Sequence, residues 1–217
     1  MASFYYFAYG SCMCPVDLKR SLGENTHDYV VGPATLKGYR LGFYCYCQKR
    51  DCGVLDVIED PNSSVEGILY ELPWRLSIDL DKRECVHEGR YKHDIVEVTS
   101  NGQLYKTVRT YVVIDKIPEE VAPNDWYFSV VLRGAVTAGL SEEYCWKLFH
   151  HMHQLQQHKA DTKRWRTAGT KLHSSENQEG RTQLSPSTKI ISSSPALSPA
   201  TKKPATKKSE RDLILVS

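Results

Sequence analysis

The chain has 217 residues, of which 41% are hydrophobic and 25% charged, ordinary proportions for a globular protein and enough length for one good-sized domain plus an appendage. No apolar run approaches the roughly 20 residues that a membrane-crossing helix needs, and the N-terminus lacks the basic-then-apolar pattern of a secretion signal, so a cytoplasmic location is expected. The net charge of +2 is unevenly spread: residues 155–217 hold 12 basic and 5 acidic side chains, so the basic character belongs to the C-terminal stretch and carries no information about what the folded part binds.

Phe4-Tyr5-Tyr6-Phe7-Ala8-Tyr9 is an unbroken aromatic and apolar run that stops at Gly10-Ser11, the pattern of a buried strand ending in a tight loop. Gly10 is expected to give the chain freedom to turn sharply there. Pro15 opens a short helix over residues 15–22, which Gly23-Glu24-Asn25 ends. A strand, a glycine turn and a helix start leave backbone N–H groups facing outward, a setting suited to a carboxylate or an oxyanion.

Residues 29–44 mix β-formers with spaced glycines, as a curved sheet or small barrel requires. Residues 53–58 and 65–72 read as two strands separated by a polar loop over 59–64. Pro73 opens a helix through Trp74, Ile78 and Leu80. The Asn101-Gly102 pair between the β-rich runs 91–99 and 104–114 predicts a hairpin. A loop over 118–125 leads to a helix from about Trp126 to Ala138, stopped by Gly139. Ser141 then caps a last helix whose apolar stripe, Tyr144, Leu148, Met152 and Leu155, is expected to close the domain near residue 157. From His158 onward Ser, Thr, Lys and Pro dominate, which predicts a disordered basic tail over 158–217 with a cluster at Lys202-Lys203 and Lys207-Lys208. Such a tail suits weak electrostatic contact with nucleic acid or another anionic partner, and equally a solubilising role.

Seven cysteines, an odd number without a secretion signal, predict reduced thiols. Cys45, Cys47 and Cys52 do not match zinc-site spacing, and alternation puts Cys45 and Cys47 on one strand face as small hydrophobes. His150 and His153 share a helix face with no carboxylate or cysteine at matching spacing, so no metal is assigned there either. Cys12 sits where backbone amides would lower a thiol pKa, as a cysteine nucleophile needs, although no paired histidine stands out.

Tyr9-Gly10-Ser11-Cys12-Met13 resembles the Y-G-S-N-[LM] signature of the γ-glutamylcyclotransferase family (the γ-glutamylcyclotransferase and AIG2-like superfamily), which also ends a first strand. Cys12 stands where that family usually carries Asn. Ala34, Leu36, Gly38, Tyr39, Leu41 and Phe43 resemble its A-x-L-x-G-Y-x-L-x-F strand, and Val65-Glu66-Gly67-Ile68-Leu69-Tyr70 its V-x-G-x-L-[YF] strand. Leu80-Asp81-Lys82-Arg83-Glu84 resembles its L-D-x-x-E segment, with Cys85 where Gly is usual. Pro123 to Tyr127 ahead of Leu140 to Tyr144 is similar to its "Pro…Tyr" and "G-L-P-x-x-Y" order.

The resemblance covers residues 3–155. It implies a mixed α/β fold on residues 1–157, a small curved β-sheet or barrel with surrounding helices. It also implies conversion of a small-molecule γ-glutamyl amide to 5-oxoproline and a free amine, with no cofactor and no metal. Glu84 would be the catalytic acid and base, with Tyr9, Gly10, Ser11, Cys12, Met13 and Tyr127 binding substrate. Glu88 is a competing carboxylate, but the spacing from Leu80-Asp81 favours Glu84. The alternative is a non-catalytic ligand-binding or adaptor domain on the same scaffold, since a fold does not carry activity by itself. A buried Glu84 within hydrogen-bond reach of residues 10–13 favours the enzyme, and a solvent-facing one favours the adaptor.

Overall fold

A computed structural model describes residues 2–176, with side chains through Asp161. Two compact units divide after His173, and the first carries the barrel and the site. Five strands form a closed barrel in the order β1-β3-β2-β4-β5: β1 Ser3–Ala8, β2 Val30–Cys47, β3 Cys52–Pro73, β4 Tyr91–Ser100 and β5 Gln103–Val113. All neighbours are antiparallel except β1 and β5, which close the barrel in parallel through Tyr5↔Val108 and Tyr6↔Arg109. Four helices surround it: α1 Pro15–Leu22, α2 Ser77–Arg83, α3 Asp125–Thr137 and α4 Glu142–Glu176. The mixed α/β barrel that the sequence predicts is therefore present.

Local chemistry accounts for most element ends. Gly23, at φ 75°, closes α1, its N–H bonding to Lys19 O at 2.8 Å. The β4–β5 hairpin turns through Asn101 and Gly102, both at positive φ, as a two-residue Asn-Gly turn requires. Asn124 caps α3 by accepting from Tyr127 N at 2.8 Å, and Ser141 Oγ accepts from Tyr144 N at 3.2 Å ahead of α4. The register of β2 against β3 shifts beside Gly32, Gly38 and Gly42, so the spaced glycines mark bulges that bend a long two-stranded ribbon into a barrel wall.

Two expectations change. The polar segment 59–64 does not separate two strands, because β3 runs unbroken from Cys52 to Pro73. Its pairing steps from Tyr39↔Glu59 to Lys37↔Ser64, so four residues bulge opposite Gly38. Asp60 steadies the bulge by accepting from Asn62 N at 3.2 Å and Ser63 Oγ at 2.7 Å. The last helix does not stop near 157, for α4 continues to Glu176. Tyr144, Leu148 and Met152 of the expected stripe are buried and Leu155 partly so, but no proline interrupts the following residues and the backbone stays helical. The expected tail from residue 177 on, including its basic cluster, lies outside the described residues.

Candidate active site

The end of β1 and the end of α2 meet at one cavity. After Ala8 the chain passes Tyr9 and Gly10 into a single 3-10 turn, Ser11–Met13, that α3 holds from outside. The approach of α3 depends on Gly134, where a Cβ would stand 2.9 Å from Cys14 N and 3.0 Å from Met13 Cβ. Gly10 has φ −122° and ψ −139°, and crowding adds a reason for glycine there, since a Cβ on Gly10 would lie 3.2 Å from the Tyr127 hydroxyl. The cavity between this loop, Tyr127, Arg50 and Glu84 has a volume of ≈ 50 Å³.

Glu84 follows the last residue of α2, and its N–H bonds to Leu80 O at 3.0 Å. Its side chain is 17% exposed, and Oε1 lies 3.0 Å from Cys12 Sγ. Asp81, one turn earlier, is committed elsewhere: Oδ1 accepts from the Tyr111 hydroxyl at 2.6 Å and lies 2.7 Å from His93 Nε2. The Leu-Asp pair thus pins α2 to the barrel, Leu80 by full burial and Asp81 by these contacts, which aims Glu84 at the loop.

Arg83, to which the sequence alone assigns no role, organises the floor. Its Nη2 lies 2.6 Å from Asp17 Oδ2 and 3.0 Å from Ser11 Oγ, its Nη1 donates to Ser21 Oγ, and its Nε donates to Cys12 Sγ at 2.9 Å. Both members of the Arg83–Asp17 pair are over nine-tenths buried, so α1, the 3-10 turn and α2 are tied together by one satisfied guanidinium. Helical spacing carried a signal for it, since Arg83 and Glu84 lie three and four residues after the buried Leu80 and share its face.

Burial pushes the Cys12 thiol up to about 12; Arg83 opposes the shift and Glu84 adds to it. The lowered thiol pKa expected from backbone amides is therefore not found, because the dipoles of one short turn do not match the cost of placing a thiolate in a buried site. Cys12 is a neutral thiol that donates to Glu84 and accepts from Arg83.

Tyrosines make the walls. Tyr9 donates to Tyr111 O at 2.5 Å, and Tyr91 donates to Leu55 O at 2.9 Å. The Tyr127 hydroxyl accepts from Leu55 N at 3.0 Å. Burial raises the pKa of Tyr9, Tyr91 and Tyr127, so their hydroxyls stay uncharged at neutral pH. Of the residues expected at the site, Tyr9, Gly10, Ser11, Cys12, Glu84 and Tyr127 all border the cavity. Met13 does not: its side chain is fully buried and its N–H closes the turn on Gly10 O at 2.9 Å. Glu88 stands in a separate turn, 60% exposed and 3.4 Å from Arg90. Arg50, also missed, reaches the rim from the β2–β3 turn with its guanidinium 5.2 Å from the Trp126 ring and 5.8 Å from the Tyr127 ring. Among the described residues no cluster of three or more His, Cys, Asp or Glu is arranged to hold a metal ion, and no helix is long and apolar enough to cross a membrane.

Residues 64–148 match the model of the AIG2-like family. YkqA of Bacillus subtilis is 36% identical over 151 residues, covering 70% of this chain and 53% of that protein. The gamma-glutamylcyclotransferase of Mus musculus is 27% identical over 150 residues, covering 67% of this chain and 77% of that protein. The chain thus spans about half the length of the Bacillus relative. A solved gamma-glutamyl cyclotransferase superposes with a TM-score of 0.62 at 25% identity, over 68% of this chain and 86% of that one. With a barrel that superposes on that enzyme's and the AIG2-like pattern over residues 64–148, the domain described here is similar to the γ-glutamylcyclotransferases.

Proposed function

We propose that this domain cyclises a small γ-glutamyl amide to 5-oxoproline and releases the amine, with Glu84 as general base and general acid. One observation carries the reading: a carboxylate mostly withdrawn from solvent stands across a single cavity from the loop at the end of β1, 3.0 Å from Cys12. That is the arrangement the enzyme requires and a solvent-facing Glu84 would have opposed.

Nucleophile and electrophile sit in one substrate molecule, so the protein's task is to fold the glutamyl chain until its α-nitrogen meets its γ-carbonyl carbon. Glu84 takes a proton from the α-ammonium, and the freed amine attacks the carbonyl to form the ring C–N bond. The oxyanion of the tetrahedral intermediate meets the first N–H groups of the 3-10 turn, at Ser11 and Cys12, which a helix start leaves without intrahelical partners. As the intermediate collapses, the ring nitrogen gives up a second proton and the old C–N bond breaks, with Glu84 delivering a proton to the departing nitrogen. Two protons leave the attacking nitrogen and two arrive on the amine, so the carboxyl group ends as it began. Cys12 holds Oε1, which leaves Oε2 for the substrate. Tyr9 and Tyr127 wall the glutamyl chain with uncharged hydroxyls.

The test is 5-oxoproline release from a panel of γ-glutamyl compounds by native protein and by Glu84→Gln, with folding checked by circular dichroism. Turnover by the native protein and a loss of about 10²- to 10⁴-fold in the variant are expected. A folded native protein that releases none from any compound would return the domain to the ligand-binding or adaptor reading.

A further inference from the structure

Resting on the cyclotransferase reading, we infer that Arg50 is the receptor for a carboxylate on the leaving amine, so that the favoured substrates are γ-glutamyl amino acids and peptides with a free carboxylate rather than γ-glutamyl derivatives of simple amines. Among the described residues that border the cavity, Glu84 and Arg50 carry its two charges. Glu84 is held deep by Cys12, whereas Arg50 comes from the β2–β3 turn, is half-buried and stands at the rim.

The two arginines near the site have different histories. Arg83 is spent, bonded to Asp17, Ser11, Ser21 and Cys12 on its own side of the loop. The guanidinium of Arg50 has no carboxylate partner among the described residues; it lies over the faces of Trp126 and Tyr127. Aromatic faces fix the plane of a guanidinium while leaving its N–H edge available, which is the edge that pairs with a carboxylate through two parallel hydrogen bonds. The turn that presents it is itself fixed, since Arg50 N bonds to Cys47 O at 3.1 Å and Asn124 Nδ2 donates to Arg50 O at 2.8 Å. The receptor is thus preorganised from two elements, the β2–β3 turn and the start of α3.

Substrate geometry points the same way. The glutamyl part must be enclosed, because it has to fold on itself between Glu84 and the Gly10–Cys12 loop. The amine it carries then projects along Tyr127 toward the rim. When that amine is an amino acid, its carboxylate is two bonds from the scissile nitrogen and arrives beside the cation that Tyr127 and Trp126 support.

The experiment compares γ-glutamyl-alanine with γ-glutamyl-alaninamide, which differ in the leaving group's charge and not in its size, on native protein and on Arg50→Gln and Arg50→Lys. The native enzyme is expected to favour the free carboxylate by about 10- to 100-fold in kcat/KM. Arg50→Gln should bring that ratio close to one, and Arg50→Lys should keep part of it. If the native protein turns over both compounds equally, the reaction stands and the receptor does not. An equal loss on both compounds in Arg50→Gln overturns the inference as well, since it would put Arg50 on the glutamyl end or in packing alone. Should Arg50→Gln fail to fold, the native ratio and the Arg50→Lys ratio decide. Absence of 5-oxoproline from either compound and from every other γ-glutamyl compound would instead remove the underlying reaction.

Discussion

Cys12 Sγ lies 3.0 Å from Glu84 Oε1, and the thiol that makes this contact is locked neutral by its burial. A residue where asparagine is usual in the family therefore still supplies what the carboxylate needs, one hydrogen-bond donor aimed at one oxygen. Cys12→Ala should lower kcat about tenfold, the worth of one such bond, while KM moves little, because the glutamyl chain loses no contact of its own. Cys12→Ser restores a donor and should recover most of the loss. A Cys12→Ala enzyme with native kcat would remove the thiol from the site's working parts.

Alkaline conditions should weaken the fold before they change the chemistry. The Cys12 thiol rises from its ordinary 9.0 to about 12 on folding, and burial raises Tyr9, Tyr91 and Tyr127 above their ordinary 10.0. These groups are acids held protonated by the folded state, so the unfolded chain binds fewer protons once the pH passes 9. Their contribution is fully present below about pH 9 and is lost as the pH climbs toward the folded-state values. Urea midpoints should be flat from pH 7 to 8.5 and fall steadily from pH 9 to 11. The ultraviolet band of tyrosinate should gain its last portion together with unfolding. A midpoint that rises over that range would show that burial of these hydroxyls is not what ties stability to pH.

Cys85 follows Glu84 at φ 53°, in the left-handed region that L side chains adopt at a cost. The family's usual glycine at this position has a backbone reason. Cys85→Gly should stabilise the domain by up to about 1 kcal/mol, the relief of that strain less the extra freedom glycine gains in the unfolded chain. Chemical denaturation measures it, and because Cys85 does not border the cavity, kcat should be unchanged. A destabilised Cys85→Gly would mean that the Cys85 side chain, not its backbone, holds the α2 exit.

Arg83 concentrates four hydrogen bonds in one buried side chain, and its Nε also lies 3.8 Å from Glu84 Oε1. Arg83→Met leaves Asp17 charged, buried and unpaired, which should cost about 3–5 kcal/mol. Asp17→Asn in the same chain removes that charge, so the double variant should be more stable than the sum of the single losses predicts. Strict additivity in a thermodynamic cycle would mean that Arg83 and Asp17 do not depend on each other.

What the sequence disclosed and withheld follows from the range over which each feature is written. β1, α1, the β4–β5 hairpin and the capped start of α4 are local, each set by a run, a proline, an Asn-Gly or a serine within a few residues. Glu84 was reachable because its segment resembles a family pattern, not because a charged helix end distinguishes it from Glu88. The bulge at 60–63 hid β3, since Asp60-Pro61-Asn62 reads as a turn and only pairing with Lys37 and Tyr39 carries the strand across it. Arg50 was invisible for a stronger reason: it lies in a polar turn, and its place beside the cavity is set by Trp126 and Tyr127, more than seventy residues away. The neutral state of Cys12 was equally out of reach, because burial is a property of the closed barrel and not of the Gly10-Ser11-Cys12 tripeptide.

Gly134 tests whether α3 sets the loop. A Cβ there would lie 2.9 Å from Cys14 N, closer than a Cβ of a folded protein sits, and 3.0 Å from Met13 Cβ, and Cys14 N is backbone that cannot swing aside. Gly134→Ala must therefore move α3 or the 3-10 turn by several tenths of an ångström. Helix propensity favours alanine by about 1 kcal/mol, so a site with room would gain stability. Overpacking instead should give a net loss of about 1–3 kcal/mol. Because Ser11 and Cys12 belong to the displaced turn, kcat should fall together with stability, and the fall should persist at temperatures where the variant is fully folded. A stabilised and fully active Gly134→Ala would mean that the turn yields freely and that its amides are not held in place from behind.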